Sequence, residues 1–236
     1  MQQKSVYENL FRKSKSGVIV LFDPDRTPKE EAIKKMEKLN KNDFIKGYFI
    51  GTSFQMTFGI DDYVKAIKEH TDLPVVMFPS DHAQLSRYAD AMLYMSLLSG
   101  RNPQFLIEEQ LKMVPFITES GIEAIATGYI LIDGGKITSV EFMSNTKPIP
   151  RDKPDLVAAH AKVGELFGFD LIYLEAGSGA DFHVPFEAIK LTSEYVNIPV
   201  IVGGGFKKIS DIEKALENGA MHVVVGTQIE KGKLFV

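Results

Sequence analysis

Three consecutive apolar runs in the C-terminal part of the chain each close on glycine. Residues 169–174 lead into Glu175-Ala176-Gly177-Ser178-Gly179, Val200-Ile201-Val202 into Gly203-Gly204-Gly205, and Val223-Val224-Val225 into Gly226-Thr227. A short apolar run that stops at glycine is how a buried parallel strand ends when its tip must approach a ligand. Three such tips in succession predict a phosphate cradle of backbone N–H groups at the catalytic face of a barrel.

The rest of the chain fits that plan. Apolar runs alternate with helical patterns, the signature of repeated βα units. Strands are expected over 17–22, 45–50, 75–78, 91–97, 123–132, 171–175, 200–202 and 223–225. Helices are expected over 28–39, 60–70, 103–118, 154–167, 185–195 and 210–218, with a short N-terminal helix over 5–15 that puts Val6, Leu10 and Phe11 on one face. The tail, 229–236, is short for a final helix, so the N-terminal helix is expected to cover the bottom or the open flank instead. The connection 79–89 is too short for a full helix, and a loop is expected in place of the third one. Asp133-Gly134-Gly135-Lys136 has the composition of a hairpin turn returning through 137–142. The 236 residues, with no linker or low-complexity tract, suit a single domain over 1–236. The expected class is α/β, a modified (β/α)8 TIM barrel, a fold of about 250 residues.

Charge and composition narrow the partners. A net charge of −4 with no basic stripe argues against nucleic acid. The absence of cysteine excludes disulfides and thiolate metal sites and accords with a cytoplasmic protein. No apolar run reaches the roughly 18 residues needed to span a bilayer, and residues 1–16 carry no signal-peptide core. The expected protein is soluble, yet able to handle a greasy substrate, with a transient membrane contact for product release.

Residue types divide the expected mouth into two ends. At the phosphate end, glycine tolerates positive φ and lets the backbone reach an anion with no Cβ in the way. Ser210 is placed to cap the following helix. Glu175 sits at the tip of the sixth strand, where a carboxylate orients substrate hydroxyls, serves as general base, or forms a structural ion pair. Ser178 adds a hydroxyl, and Tyr173 faces the mouth or the helices according to register. At the other end, Asp23-Pro24-Asp25 closes the first strand and Gly51-Thr52-Ser53 the second. One carboxylate and a hydroxyl, completed by a diphosphate, suit Mg²⁺. The same residues also read as a turn in which Asp25 caps the helix near Pro28.

These strings together resemble geranylgeranylglyceryl phosphate synthase: Leu21-Phe22-Asp23-Pro24-Asp25, Gly51-Thr52-Ser53, Tyr173-Leu174-Glu175-Ala176-Gly177-Ser178-Gly179, Gly203-Gly204-Gly205 and Gly226-Thr227, in order over nearly the whole chain. The resemblance implies prenyl transfer from a prenyl diphosphate to sn-glycerol 1-phosphate, giving an ether-lipid precursor. It implies Mg²⁺ on Asp23 and Ser53. It implies glycerol phosphate held by residues 173–179, that is Tyr173, Leu174, Glu175, Ala176, Gly177, Ser178 and Gly179, and by Gly203, Gly204, Gly205, Gly226 and Thr227. Thr227 stands where some relatives carry asparagine; either side chain donates to phosphate. The resemblance also implies a loop in place of the third helix, geranylgeranyl as the leading donor, and a homo-oligomer, dimer or hexamer, whose contact surfaces are the expected hairpin and the helix 103–118.

Glu175 is then expected to orient the glycerol hydroxyls and take the proton. Candidate walls for a prenyl groove are Phe54, Met56, Phe58, Tyr94, Met95, Leu97, Leu98, Phe105 and Tyr129, next to the missing helix. Asp81 and His82 read as a solvated loop, and the other histidines as structural. Two rivals share the scaffold. A sugar-phosphate isomerase would pair Asp23 with Asp133, although Asp133 lies in a turn beside two glycines. A non-catalytic phosphate-binding barrel is opposed by the intact glycines and acidic tips.

Overall fold

In a computed structural model of the protein, which describes residues 5–56 and 59–235, each apolar run becomes a strand of one closed parallel barrel, ordered β1 to β8. The strands are β1 Gly17–Phe22, β2 Ile45–Ile50, β3 Val75–Met77, β4 Ala91–Leu97, β5 Glu123–Leu131, β6 Leu171–Glu175, β7 Val200–Gly203 and β8 His222–Val225. Closure joins β1 to β8, with Gly17 opposite His222 and Val20 opposite Val225. The helices are α1 Lys29–Leu39, α2 Ile60–Lys68, α3 Glu109–Ser120, α4 Ser139–Ser144, α5 Pro154–Leu166, α6 Phe186–Tyr195, α7 Ile209–Glu217 and α8 Thr227–Glu230. No helix among the described residues is long and apolar enough to cross a membrane.

The two-residue period of a strand sorts side chains into two cores. Ile19, Phe49, Leu93, Ile125, Leu171, Tyr173, Ile201 and Val224 fill the barrel interior. Their neighbours Val18, Val20, Tyr48, Ile172, Leu174 and Val223 face the helices. The register left open in the sequence is thereby fixed: Tyr173 points into the barrel, and Glu175, two residues on, follows it to the mouth.

The N-terminal helix, Tyr7–Arg12, is wound as a π-helix and closes the bottom of the barrel, where Leu10 and Phe11 join the interior core. Glu123 at the start of β5 accepts from the backbone N–H groups of Val6 and Tyr7 and from Ser5 Oγ. On β8, His222 Nε2 lies 2.7 Å from Leu10 O and so donates to it, which fixes the neutral tautomer. Burial pushes the His222 imidazole down to about 4 from its usual 6.5. The unfolded chain therefore binds more protons between those values, so this contribution to stability is complete above about 6.5 and is lost as pH falls towards 4. We predict that His222→Gln, whatever it does to stability at pH 7, shifts the stability difference between pH 7 and pH 5 by about 2 kcal/mol in favour of pH 5, relative to the wild type. Paired urea titrations of both proteins at the two pH values check this.

Between β3 and β4 there is no helix, as the length of that connection predicted. The loop is stitched instead by side chains: Ser86 Oγ donates to Asp61 Oδ1 at 2.6 Å and Gln84 Nε2 to Ser80 Oγ at 2.7 Å.

Three local expectations are corrected. The hairpin at 133–142 does not form. Gly134 O instead accepts from Asp181 N and Phe182 N, both at 3.0 Å, which pins the loop to the one after β6. The chain then makes α4 and returns through a parallel bridge from Ile132 to Ile149. Ser210 does not cap α7, because the helix begins one residue earlier, at Ile209, with Lys208 as its cap. Asp25 does not cap α1; its Oδ2 accepts from Met56 N at 2.9 Å and ties the β1 tip to the β2 tip.

Candidate active site

Parallel strands bring all eight C-terminal tips to one face, and a cavity of about 510 Å³ opens there. Asp23, Thr52 and Ser53 line one side, with Tyr173, Glu175, Ser178, Gly179, Gly204, Gly205, Gly226 and Thr227 facing them. The volume lies in the usual range for ligand pockets, roughly 300–1,000 Å³.

Four of the twelve residues assigned to glycerol phosphate do not line this space. Leu174 and Ala176 turn into the layer between barrel and helices. Gly177 spends its N–H on Glu175 Oε1, 2.6 Å away. Gly203 lies behind the carboxylate: a Cβ there would meet Tyr173 Oη at 2.5 Å and Glu175 Oε2 at 2.7 Å. Leu174 and Ala176 thus shape the site through the backbone, Gly177 holds the Glu175 head through its N–H, and Gly203 makes room for it.

Glu175 is a carboxylate in an unusual environment. It is 5% exposed and stands over an aromatic floor, in which Tyr173 packs on Phe78 at 5.2 Å and edge-on to Tyr129 at 5.3 Å between ring centres. Burial pushes its carboxyl up to about 7, against the lowering pull of the Gly177 N–H and the nearby Tyr173 hydroxyl. That hydroxyl is buried and makes no well-formed hydrogen bond, although it is close enough to feel the carboxylate. A carboxylate poised near 7 exchanges a proton readily at neutral pH.

Asp23 is set differently. Burial raises its carboxyl, opposed by the Asp25 N–H, which donates to Oδ1 at 3.0 Å, and by Arg26. Among the described residues no cluster of three His, Cys, Asp or Glu side chains marks a metal cage. One partly buried carboxylate beside two hydroxyls is nonetheless the donor set that Mg²⁺ accepts when water and phosphate oxygens complete its shell. The residues present fit that ion.

The apolar arm of the cavity runs toward the missing third helix. Phe54, Met95, Leu97, Phe105 and Tyr129 line it, as expected, with Phe78 and Met113 added. Tyr94 and Leu98 are not part of it: Tyr94 Oη donates to Gln110 O at 3.0 Å, and Leu98 packs in the outer core. Met56 is exposed away from the cavity, and Phe58 lies outside the described residues.

Sequence reasoning missed two features. Arg26 crosses the mouth, and no role was given to it. Glu109, on α3, is a buried carboxylate lining the arm. It accepts from His82 Nδ1 at 3.0 Å and from Lys112 Nζ at 2.7 Å. Although burial raises Glu109, bonds from Lys112, His82 and Gln104 hold it down at about 2. His82 is therefore not simply a solvated loop residue but the pin between that loop and α3. Nothing in the local pattern signals this, because His82 lies 27 residues away from Glu109 in the sequence. Asp133, by contrast, accepts from Gly135 N at 2.8 Å and does not line the cavity.

A parallel barrel with glycine tips and a buried carboxylate facing a carboxylate–hydroxyl pair defines a phosphate-binding barrel enzyme with room for an apolar chain. The chain belongs to the PcrB family, whose sequence model matches residues 10–234. It is 42% identical, across 100% of this chain and 99% of the relative, to a geranylgeranylglyceryl phosphate synthase of Flavobacterium johnsoniae. It is 39% identical, across 98% of this chain and 89% of the relative, to the protein of the same name from Pyrococcus horikoshii. The crystal structure of (S)-3-O-geranylgeranylglyceryl phosphate synthase from Thermoplasma acidophilum, in complex with its substrate sn-glycerol-1-phosphate, matches with a TM-score of 0.90. Identity is 29%, over 98% of this chain and 94% of that one. An N-acetylmannosamine-6-phosphate 2-epimerase from Clostridium perfringens, at 15% identity and a TM-score of 0.59, shares the barrel alone.

Proposed function

We propose that the chain transfers a prenyl group from a prenyl diphosphate, with geranylgeranyl as the leading donor, to sn-glycerol 1-phosphate, and releases diphosphate. The observation that carries this reading is the position of Glu175, a buried carboxyl held at about 7 between the glycine cradle and the apolar arm. The cradle of Gly204, Gly205, Gly226 and Thr227, with the Ser178 hydroxyl, holds the phosphate of the acceptor. Glu175 then accepts a hydrogen bond from the acceptor hydroxyl. As the new C–O bond forms at the allylic carbon and the bond to diphosphate breaks, the hydroxyl proton passes to Glu175. Holding both reactants in one cavity removes most of the entropic barrier to their meeting. Exclusion of water by the aromatic floor protects the cationic carbon from hydrolysis.

Asp23 and Ser53 would hold Mg²⁺, with the Thr52 hydroxyl beside them. When bound, the ion neutralises the charge that builds on the leaving diphosphate. The isomerase alternative finds no second acid in the cavity at Asp133, which its chemistry would require.

The test is incubation with labelled sn-glycerol 1-phosphate and prenyl diphosphates of graded length, with and without Mg²⁺. We expect an ether product whose formation stops with EDTA and returns with added Mg²⁺. We expect Asp23→Asn to lower kcat/KM at least ~100-fold, consistent with several kcal/mol of charge stabilisation lost. Undiminished turnover in EDTA would remove the metal from the reading.

A further inference from the structure

Arg26 stands between the two ends of the cavity. Its Nε lies 3.4 Å from Asp23 Oδ2, and its Nη1 donates to Ser178 Oγ at 3.3 Å. Ser178 Oγ lies 3.3 Å in turn from Thr227 Oγ1. One guanidinium therefore spans from the carboxylate of the metal end to the hydroxyl pair of the phosphate end. Both contacts are long, and the side chain is 48% exposed, so the hold is weak and a stronger anion can take it over. Lys136 and Lys207, which also line the cavity, are already engaged with Asp181.

Asp23 cannot serve two cations equally. A divalent ion on its carboxylate would repel a guanidinium only 3.4 Å from the same oxygen. Once displaced, the Arg26 fork stays anchored on the β1 tip, within the space that a diphosphate next to Asp23 would fill. Its planar pair of N–H groups suits phosphate oxygens better than a lysine does.

We propose that Arg26 exchanges partners. It pairs with Asp23 in the empty site, and when a cation occupies Asp23 it turns to the diphosphate of the donor, while its Ser178 contact links that event to the acceptor end. This rests on the prenyl-transfer reading and adds to it a residue that couples the two substrate sites.

Calorimetric titration of the full chain tests the exchange, with Mg²⁺ alone, inorganic pyrophosphate plus Mg²⁺, and sn-glycerol 1-phosphate as separate probes. Arg26→Ala should bind Mg²⁺ alone about two- to fivefold more tightly, because its competitor is gone. It should bind pyrophosphate at least ~10-fold more weakly, as loss of charged hydrogen bonds implies. Arg26→Lys should keep the competition for Mg²⁺ but recover only part of the pyrophosphate affinity. Opposite signs for the two probes would not arise from a merely structural role, which weakens both together with a fall in Tm. Unchanged pyrophosphate binding in Arg26→Ala, or parallel weakening with lost stability, overturns the proposal and leaves the prenyl-transfer reading standing. A wild-type protein that binds neither pyrophosphate nor sn-glycerol 1-phosphate overturns both.

Discussion

Glu175→Gln is expected to lower kcat by about 10²–10⁴, the usual range for a lost general base, while making the folded protein more stable at neutral pH. The two effects have one cause. Burial over Tyr173, Phe78 and Tyr129 raises the Glu175 carboxyl from 4.5 to about 7. The folded state therefore binds more protons than the unfolded one between those values, and stability falls as pH rises through that window. By pH 7 this penalty amounts to about 3 kcal/mol. Glutamine keeps the shape and an oxygen for the Gly177 N–H but carries no charge, so the penalty disappears. Urea titrations at pH 7 should show the variant more stable, and at pH 4.5 nearly equal to the wild type. In kcat/KM, the wild type should rise with pH to a plateau above about 7, the apparent value of the free enzyme. A phosphate monoester titrates near 6, so the two limbs are separable. The variant should lack the upper limb. Full turnover in Glu175→Gln would end the role of this residue as base; lower stability at pH 7 would end the account of its burial.

Glu175 also hides the acid sensitivity of His222. The two groups act in opposite senses between about 4.5 and 6.5, and their slopes nearly cancel. The summed contribution of these two groups should therefore be almost flat there. Removing Glu175 should expose a loss of about 2 kcal/mol on acidification from pH 7 to pH 5.

The parts of the site that were legible in the sequence are those set by local pattern. The end of β6 was read at Glu175 and found there, because an apolar run that meets a carboxylate and then glycine has no other way to finish a buried strand. The absent third helix was legible from length. What escaped was set by contacts between distant segments. The glycines at 134 and 135 look like a hairpin, yet Gly134 packs against Ala176 and Ala180 and hands its carbonyl to the loop after β6. Arg26 carries no signal either. Its reach to Ser178 spans 152 residues of sequence and exists only once the barrel closes. Glu109 is invisible for the same reason. Leu174 and Ala176 were grouped with the ligand contacts because they sit inside a distinctive string, whereas strand alternation sends their side chains outward.

Gly204→Ala is expected to abolish productive binding of sn-glycerol 1-phosphate, raising its KM by ~100-fold or more, while Gly226→Ala changes it by less than about threefold. Both glycines line the cradle, so a simple count of glycines would treat them alike. The backbone separates them. Gly204 has φ +79°, where a Cβ is strained by roughly 1–3 kcal/mol before any contact is made. That Cβ would also overlap Glu175 Oε1 and come within 2.5 Å of the Gly177 nitrogen, the very pair whose hydrogen bond holds the carboxylate in place. Neither can yield, since one is backbone and the other is buried. Gly226 has φ −115°, and its Cβ would approach no nearer than 3.2 Å, to Leu21 O. A shift of a few tenths of an ångström accommodates it. Steady-state kinetics with sn-glycerol 1-phosphate as the varied substrate distinguish the pair, and the Tm of each variant shows whether the fold survives. Because Gly204→Ala pushes on Glu175 itself, its pH limb should also move, which a mere loss of anion contacts would not do. If the two variants behave alike, the cradle is not shaped around the Glu175 head, and the glycine at 204 serves only the turn.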